Sequence, residues 1–301
     1  MIPPNTNSLI VTMAAELLAE EEAELDAELT AKWLVFMKRT ENTEDNLKPK
    51  LQIAFTKQEK SILSKLKGKR IPDTSDAERS YDFSLGVKIK ENSVEAEKAA
   101  DKFVDQIYTA SAWQDTFTAA MLPFVTLAYK EAGDAAFAEI GIGGAFNVTN
   151  PRARKFLQDR VFENVKGINE ETREKLKRQL IQAFDKGEGI PEISKRIAGI
   201  FDINRGSRTD KIARTEIVGA SNNGTHQGYV DSEVVVTKIW IDSRDDKVRT
   251  TPHNHRIDGQ ERALDKPYSN GLLHPHDPNG AAGNVINCRC TEAAGKLKEA
   301  A

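Results

Sequence analysis

The chain has 301 residues, of which 39% are apolar and 30% charged, and its formal net charge is −3. This length suits about two domains, and the composition favours a soluble, helix-rich protein over a strand-rich one. The charge argues against a protein that coats nucleic acid along its whole surface, although it is compatible with local basic faces. The N-terminus has no basic segment ahead of its short apolar run, which Glu16 interrupts. We therefore expect neither a signal peptide nor a membrane span.

Apolar residues at helical intervals predict that the first half of the chain is mostly helical. One amphipathic helix is expected over residues 8–38, and a basic helix is expected to end at Gly68. Residues 72–75 predict a turn or linker. A long helical stretch over residues 93–139 should kink or break at Pro123, because proline lacks the amide hydrogen that a helix interior needs.

The second half begins with helices whose ends are well marked. Asn150 followed by Pro151 predicts a helix start, and Gly187 predicts the end of a helix. A further helix is expected over residues 206–230. Its later glycines and small residues favour close packing against a neighbouring element.

The pattern changes after this helix. Residues 234–241 are the strongest predicted strand, because they are rich in β-branched side chains. Asp258 and Gly259 predict a turn, and residues 284–291 are expected to form a closing strand. The predicted fold class is therefore α+β, with a mostly α-helical N-terminal region followed by a small C-terminal α+β domain.

Histidine and cysteine are confined to this last part of the chain. All five histidines lie between His226 and His276, and the two cysteines follow them. Three pairs share a spacing of two residues: His253/His255, His274/His276 and Cys288/Cys290. In an extended segment such a pair presents both side chains to one face. A disulfide over so short a loop would be strained, so we expect reduced cysteines and a reducing compartment.

Thiolate and neutral imidazole are the ligands that zinc prefers, and two pairs can close a tetrahedron. The zinc hypothesis names four ligands: His253, His255, Cys288 and Cys290. The alternative is a pair of buried free cysteines that act as small apolar groups, with histidines in a polar loop. A different class of function is a one-metal nuclease, for which hard ligands are available in Asp245, Asp246, His253, His255 and Asp258.

Several motifs in this half occur together and in order. They are ARTE at 213–216, the series from Trp240 to Arg249, DGQ at 258–260 with a histidine shortly before it, PHDP at 275–278 and INCRC at 286–290. Over about residues 150–292 the chain resembles the phage Mu F-like head morphogenesis, or minor capsid protein, family. The insertion-like TTPHNH segment leaves open whether His253 or His255 takes the family position.

The resemblance implies a non-enzymatic virion component of a tailed phage or prophage. Its expected partners are portal and capsid or scaffold proteins, with DNA as a further candidate, and its expected locations are the phage head and, during assembly, the host cytoplasm. The division would be a helical docking region at 1–148 and a Mu F-like domain at 149–301, with helices at 150–231 and a small β-containing part at 232–292. The positions that match the family motif are Arg214, Thr215, Glu216, Trp240, Asp246, Arg249, Asp258, Gly259, Cys288, Arg289 and Cys290.

Overall fold

A computed structural model of the protein describes residues 5–72, 81–82, 87–88 and 94–299. The helices are α1 (Asn5–Leu66), α2 (Val94–Ile107), α3 (Gln114–Glu139), α4 (Pro151–Asp185), α5 (Ile190–Ile203), α6 (Thr209–Ser232) and α7 (Ala282–Val285). The strands are β1 (Tyr81–Asp82), β2 (Val87–Lys88), β3 (Thr237–Ile241), β4 (Glu261–Ala263) and β5 (Thr291–Ala294). This composition confirms the predicted α+β class. Of the predicted turn or linker at 72–75, only Pro72 is described.

The two helices predicted at the N-terminus are parts of a single helix, α1. It ends close to Gly68 as predicted. This glycine has a φ of +79°, a backbone conformation that residues with a Cβ atom rarely adopt. Of the kink or break expected at Pro123, the break is absent, because α3 runs through this exposed proline. Met121 and Val125 on either side of it are buried, so packing holds the helix together where its hydrogen-bond ladder is weakened. The break in the predicted stretch lies instead between α2 and α3.

The helix boundaries in the second half agree with the sequence. The Asn150 side chain accepts a hydrogen bond from the Ala153 amide at 2.7 Å and so caps α4, with proline in the first turn. At the other end of α4, Gly187 has a φ of +65°. Among the described residues, no helix is both long and apolar enough to cross a membrane.

A three-stranded antiparallel sheet forms the end of the chain, with strand order β4-β3-β5. Strand β3 confirms the predicted strand, and Ile241 of β3 lies opposite Thr291 of β5. The predicted closing strand begins later than expected, because residues 282–285 form a short helix and Asn287 has a φ of +60°. Both cysteines therefore lie in the loop that leads into β5, beside the central strand.

The chain forms two compact units that alternate along the sequence. The first consists of Met1–Glu44, Thr126–Val148 and Arg214–Ala301, and the second of Asp45–Val125 and Thr149–Ala213. The boundary at 148/149 is thus one of several, and a division into separate domains at this point stays a prediction. In the second unit, a buried hydrogen-bond network joins Gln58, Tyr108 and Asn169.

In the first unit, α6 packs closely against α3 through glycines, as the small residues of α6 predicted. A Cβ atom on Gly224 would lie 2.1 Å from the carbonyl oxygen of Tyr129, and one on Gly228 would lie 2.9 Å from the Cβ atom of Ala136. Only glycine permits this approach. The contact fixes α6, which carries the side chains that hold the cysteine loop.

Candidate metal centre

Helix α6 holds the segment that contains both cysteines. The Asn287 amide donates to the Thr215 hydroxyl at 3.0 Å, and Arg214 donates to the side-chain oxygen of Asn287 at 3.2 Å. Two turns further along the helix, the Asn222 amide donates to the Cys290 carbonyl at 3.0 Å. Positions 215 and 222 are seven residues apart and therefore share one helix face. The ARTE and INCRC motifs are thus joined directly.

His255, Cys288 and Cys290 form a buried group, and their candidate ligand atoms all lie within 4.8 Å of one another. The Nδ1 atom of His255 is 3.2 Å from Sγ of Cys288 and 3.7 Å from Sγ of Cys290. An edge of about 3.6 Å is expected for a tetrahedron with Zn–N bonds of ~2.0 Å and Zn–S bonds of ~2.3 Å. The donor types and distances therefore fit a zinc ion. Both cysteines are free thiols.

Neighbouring residues fix the orientation of the His255 ring. Its Nε2 atom lies 2.5 Å from the side-chain oxygen of Asn284, and its backbone carbonyl accepts a hydrogen bond of 3.2 Å from the indole of Trp240. The Trp240 ring also meets the imidazole edge-to-face, with 5.4 Å between the centroids. Sequence reasoning missed Asn284, because an asparagine within a short helix carries no signal of its own.

Hydrogen bonds and charges in this group favour ionisation of the Cys288 thiol. A hydrogen bond from Cys290 lowers the pKa of Cys288 well below its ordinary value, against the effect of burial, and His255 and His276 contribute. Burial raises the pKa of Cys290, and the neighbouring Cys288 raises it further. For His255, burial favours the neutral ring, but the hydrogen bond to Cys288 raises its pKa overall. A thiolate is the form of cysteine that binds metal.

The two histidine pairs do not present their side chains as predicted. His255 is buried in the group whereas His253 is half-buried outside it, and His276 reaches Cys288 whereas His274 stacks on His226. The reason is that neither segment is extended. The Asn254 side chain accepts a hydrogen bond from the Arg256 amide at 3.0 Å in a local turn, and His276 has a φ of +58°, so a period of two does not apply.

A compact loop leads from β3 to the metal group. The Asp258 carboxylate accepts from the Asp242 amide at 2.9 Å and pairs with Arg244 at 2.5 Å. Gly259 turns the chain with a φ of +73°, and its amide donates to the Trp240 carbonyl at 2.9 Å. Arg249 donates to the Ile286 carbonyl at 2.9 Å.

The remaining motif positions have different environments. Arg289 pairs with Asp245 at 2.5 Å, whereas Asp246 is exposed and Glu216 is buried on α6. The carboxylates needed for the one-metal nuclease do not gather, because Asp245 pairs with Arg289 and Asp258 with Arg244. In the described part of the chain, the group with metal-ligand spacing contains His255 but no carboxylate.

A cavity of about 210 Å³ adjoins the metal group. Its lining includes all three members of the group together with four cationic side chains, which are Arg214, Lys247, Arg249 and Arg289. Two of these cations are paired, since Arg214 lies 3.5 Å from Glu44 and Arg289 pairs with Asp245. The cavity is therefore polar and basic, and an anion could approach the metal position through it.

A second buried polar cluster surrounds Glu292 of β5. Glu292 is 4% exposed, and its carboxylate accepts a hydrogen bond from Nδ1 of His226 at 2.9 Å. Burial opposes its ionisation, but His226 and other positive neighbours lower the pKa of Glu292 overall. Burial, reinforced by the charge of His226, lowers the pKa of His274 to about 4. This cluster is a candidate for acid-sensitive stability.

Comparison with known proteins agrees with the motif pattern. Residues 174–293 match the family model described as phage Mu protein F like protein, which confirms the predicted resemblance over a region that begins later than residue 150. A relative in Bacillus subtilis (strain 168), which bears the name "Uncharacterized protein YqbB", is 23% identical over 216 residues that cover 69% of this chain and 70% of the relative. No solved structure matches the chain significantly.

Proposed function

We propose, starting from the phage Mu protein F like region at residues 174–293, that this chain is a non-enzymatic minor head protein of a tailed phage or prophage. It acts in head morphogenesis, associates with the portal and takes part in DNA packaging or delivery. Its partners are portal and capsid or scaffold proteins, with DNA as a further partner. It is located in the virion and, during assembly, in the host cytoplasm.

One observation carries the structural role: the motif residues hold one another in place. Thr215 binds the loop before the cysteines, Asp258 and Gly259 shape the loop after β3, and Trp240 is fully buried between Tyr268 and His255. Side chains used in this way specify a fold rather than a reaction. The motif therefore supports a structural role.

The proposed cofactor is one structural Zn²⁺ ion held by His255, Cys288 and Cys290. Its support is the burial of all three residues and the 3.2 Å and 3.7 Å approaches of the imidazole nitrogen to the two sulfur atoms. The strands of the sheet in this unit have five residues or fewer, so a metal ion that links the adjoining loops adds stability.

Residues 17–22 of α1 form the proposed docking surface for the portal. Leu17 and Leu18 are 58% and 59% exposed there, and the residues that follow are the acidic run from Glu20 to Glu22. An exposed apolar pair beside a set of like charges suits a partner surface with an apolar groove and a basic rim. We assign this surface to portal contact, while the C-terminal sheet completes the fold.

The test is a deletion of the gene from the phage or prophage that encodes it, complemented by variants. We expect the deletion to reduce DNA-filled heads counted by electron microscopy, and the protein to be found in wild-type virions by mass spectrometry. The double variant Leu17→Glu/Leu18→Glu should fold with an unchanged Tm and fail to enter heads. Val236→Glu, at another exposed apolar position, is the matched control and should complement. Normal yields of filled heads from the deletion would refute the proposal.

The second candidate function is a metal-dependent hydrolase, such as a nuclease carried in the virion. The basic cavity beside His255, Cys288 and Cys290 favours it, because a metal-bound water next to arginines can attack a phosphodiester. Turnover of DNA by the zinc-loaded protein, lost in His255→Ala but not in His253→Ala, would support it over the structural role.

A further inference from the structure

We propose that His276 provides the fourth ligand of the metal site, so that His255, His276, Cys288 and Cys290 enclose one zinc ion through their Nδ1 and Sγ atoms. The inference rests on the zinc proposed above and assigns the fourth position to His276 instead of His253. It also makes the site a closed, structural one, because four protein ligands leave no place for a reactive water.

The hydrogen bonds of His255 leave its Nδ1 atom available to a metal. The Asn284 amide nitrogen donates to the Asn270 carbonyl at 3.3 Å, which turns the side-chain oxygen of Asn284 toward His255. An amide oxygen only accepts, so the proton of the imidazole sits on Nε2. The lone pair on Nδ1 then faces both sulfur atoms. Metal-bound histidines commonly donate their second nitrogen to a carbonyl oxygen in this way.

His276 has the same arrangement. Its Nε2 atom lies 2.8 Å from the backbone carbonyl oxygen of Cys288, which can only accept, so Nδ1 again carries the lone pair. The residue is 1% exposed, and its Nδ1 atom has no hydrogen-bond partner in the described part of the chain. A buried polar atom of this kind costs stability unless something binds it. The ring lies beside the Cys288 thiol and helps to lower its pKa.

The other candidates for the fourth position are engaged elsewhere. His226 pairs with Glu292 at 2.9 Å, and His274 has its Nδ1 atom 2.9 Å from the Pro275 carbonyl oxygen. His253 is only half-buried. The Asp242 side chain is engaged in the loop after β3, where it accepts a hydrogen bond from the Arg244 backbone amide at 2.8 Å. His276 is thus the histidine with a buried, unpartnered nitrogen next to the thiols.

Binding draws the His276 ring from its place beside Cys288 into the coordination sphere. The thiol protons of Cys288 and Cys290 pass to solvent as the two Zn–S bonds form, and neither the metal nor the sulfur changes oxidation state. The ion then ties together three stretches of chain, at residues 255, 276 and 288–290. These are the loops that the short strands alone would hold weakly.

The experiment uses the full chain, loaded with zinc and then with Co²⁺ as a spectroscopic probe. We compare wild type, His276→Gln and, as the matched control, His253→Gln, by elemental analysis and a chelator competition. Wild type and His253→Gln should each hold about one zinc and give the same Co²⁺ d–d bands. His276→Gln should lose more than about 100-fold in zinc affinity, beyond the 10–100-fold typical of residues that merely orient a ligand.

A second variant keeps the test decisive if His276→Gln does not fold. His276→Cys should retain zinc and show stronger sulfur-to-cobalt charge-transfer absorption, because a third thiolate joins the site. Wild-type affinity and bands in His276→Gln, loss of zinc in His253→Gln, or unchanged charge transfer in His276→Cys would each overturn the assignment. A wild-type protein without zinc would overturn it together with the proposed cofactor, whereas the head role is judged separately by the count of filled heads.

Discussion

The Nδ1 atom of His255 lies 3.2 Å from the sulfur atom of Cys288, although the two residues are 33 positions apart in the chain. The contact depends on α6, which holds the cysteine loop through Thr215 and Asn222, and on Trp240, which supports the histidine. Family-motif residues thereby build a candidate metal centre without gathering carboxylates around it.

Replacing Cys288 with serine tests whether this residue is a metal ligand or an ordinary core residue. If zinc is bound, the variant should lose the metal, melt at a lower temperature and stop responding to a chelator. A cysteine that only fills space would give a loss of about 1–3 kcal/mol, from burial of the new hydroxyl, and no link to metal content. Differential scanning fluorimetry of wild type and variant, with and without chelator, distinguishes the two. An equal chelator-induced fall in Tm for both proteins would contradict this prediction.

Asn284 should tune the metal without binding it. Its side-chain oxygen accepts the Nε2–H of His255 at 2.5 Å, so Asn284→Ala should weaken zinc binding by about 10–100-fold while leaving one zinc per chain at saturation. Arg256→Ala, which removes an exposed side chain next to the same histidine, is the control and should bind as wild type. Chelator titration measures both. Equal affinities for the two variants would show that the hydrogen bond to His255 is unimportant.

Glycine at position 224 is required by the approach of α6 to α3. The Cβ atom of Gly224→Ala would lie 2.1 Å from a backbone carbonyl oxygen, which cannot move as a side chain would. We expect the free energy of unfolding to fall by about 1–3 kcal/mol or more. Gly167→Ala is the matched control, since nothing lies within 4 Å of its added Cβ atom, and it should be neutral or stabilising by about 0.4–1 kcal/mol. Chemical denaturation would show whether the two variants differ as predicted.

His274 should make the protein sensitive to mild acid. Its pKa falls from 6.5 to about 4 on folding, through burial and the charge of His226. Between these values the unfolded chain binds more protons than the folded one, so stability decreases as pH falls from 6.5 towards 4, by up to about 3 kcal/mol. Nearby Glu292 and Asp277 favour the charged ring but do not reverse the shift.

The check is a set of melting curves between pH 4 and pH 7 on metal-free protein, so that protonation of metal ligands does not contribute. His274→Phe keeps the ring stacked on His226 but removes the titrating group, and its Tm should depend less on pH than that of wild type. His253→Gln should retain the wild-type slope. A slope that is unchanged in His274→Phe would assign the acid sensitivity to other groups.

Local signals predicted the local features of this fold. Asn150 and Gly187 mark helix ends because capping and left-handed geometry depend on the residue itself. The break expected at Pro123 is absent because buried neighbours on both sides outweigh one missing hydrogen bond. The alternation of the two units along the chain could not be predicted from local signals either, because it depends on contacts between distant segments.

At the candidate site, three of the four predicted zinc ligands lie together and His253 does not. The spacing rule failed because it assumes an extended chain, whereas Asn254 forms a local turn. The same rule could not identify His276, because its side chain reaches Cys288 through a left-handed backbone conformation. Residue type therefore identified the chemistry of the site, while turn geometry decided which histidines take part.

Bound zinc is measured most directly by elemental analysis of the purified full chain, combined with melting curves before and after removal of metal. We predict about one zinc per chain and a clear fall in Tm when a chelator removes it, with recovery when zinc is restored. No bound metal after purification in the presence of zinc, together with a Tm that the chelator does not change, would contradict it. His255, Cys288 and Cys290 would then be a buried polar cluster that completes the core beside Trp240.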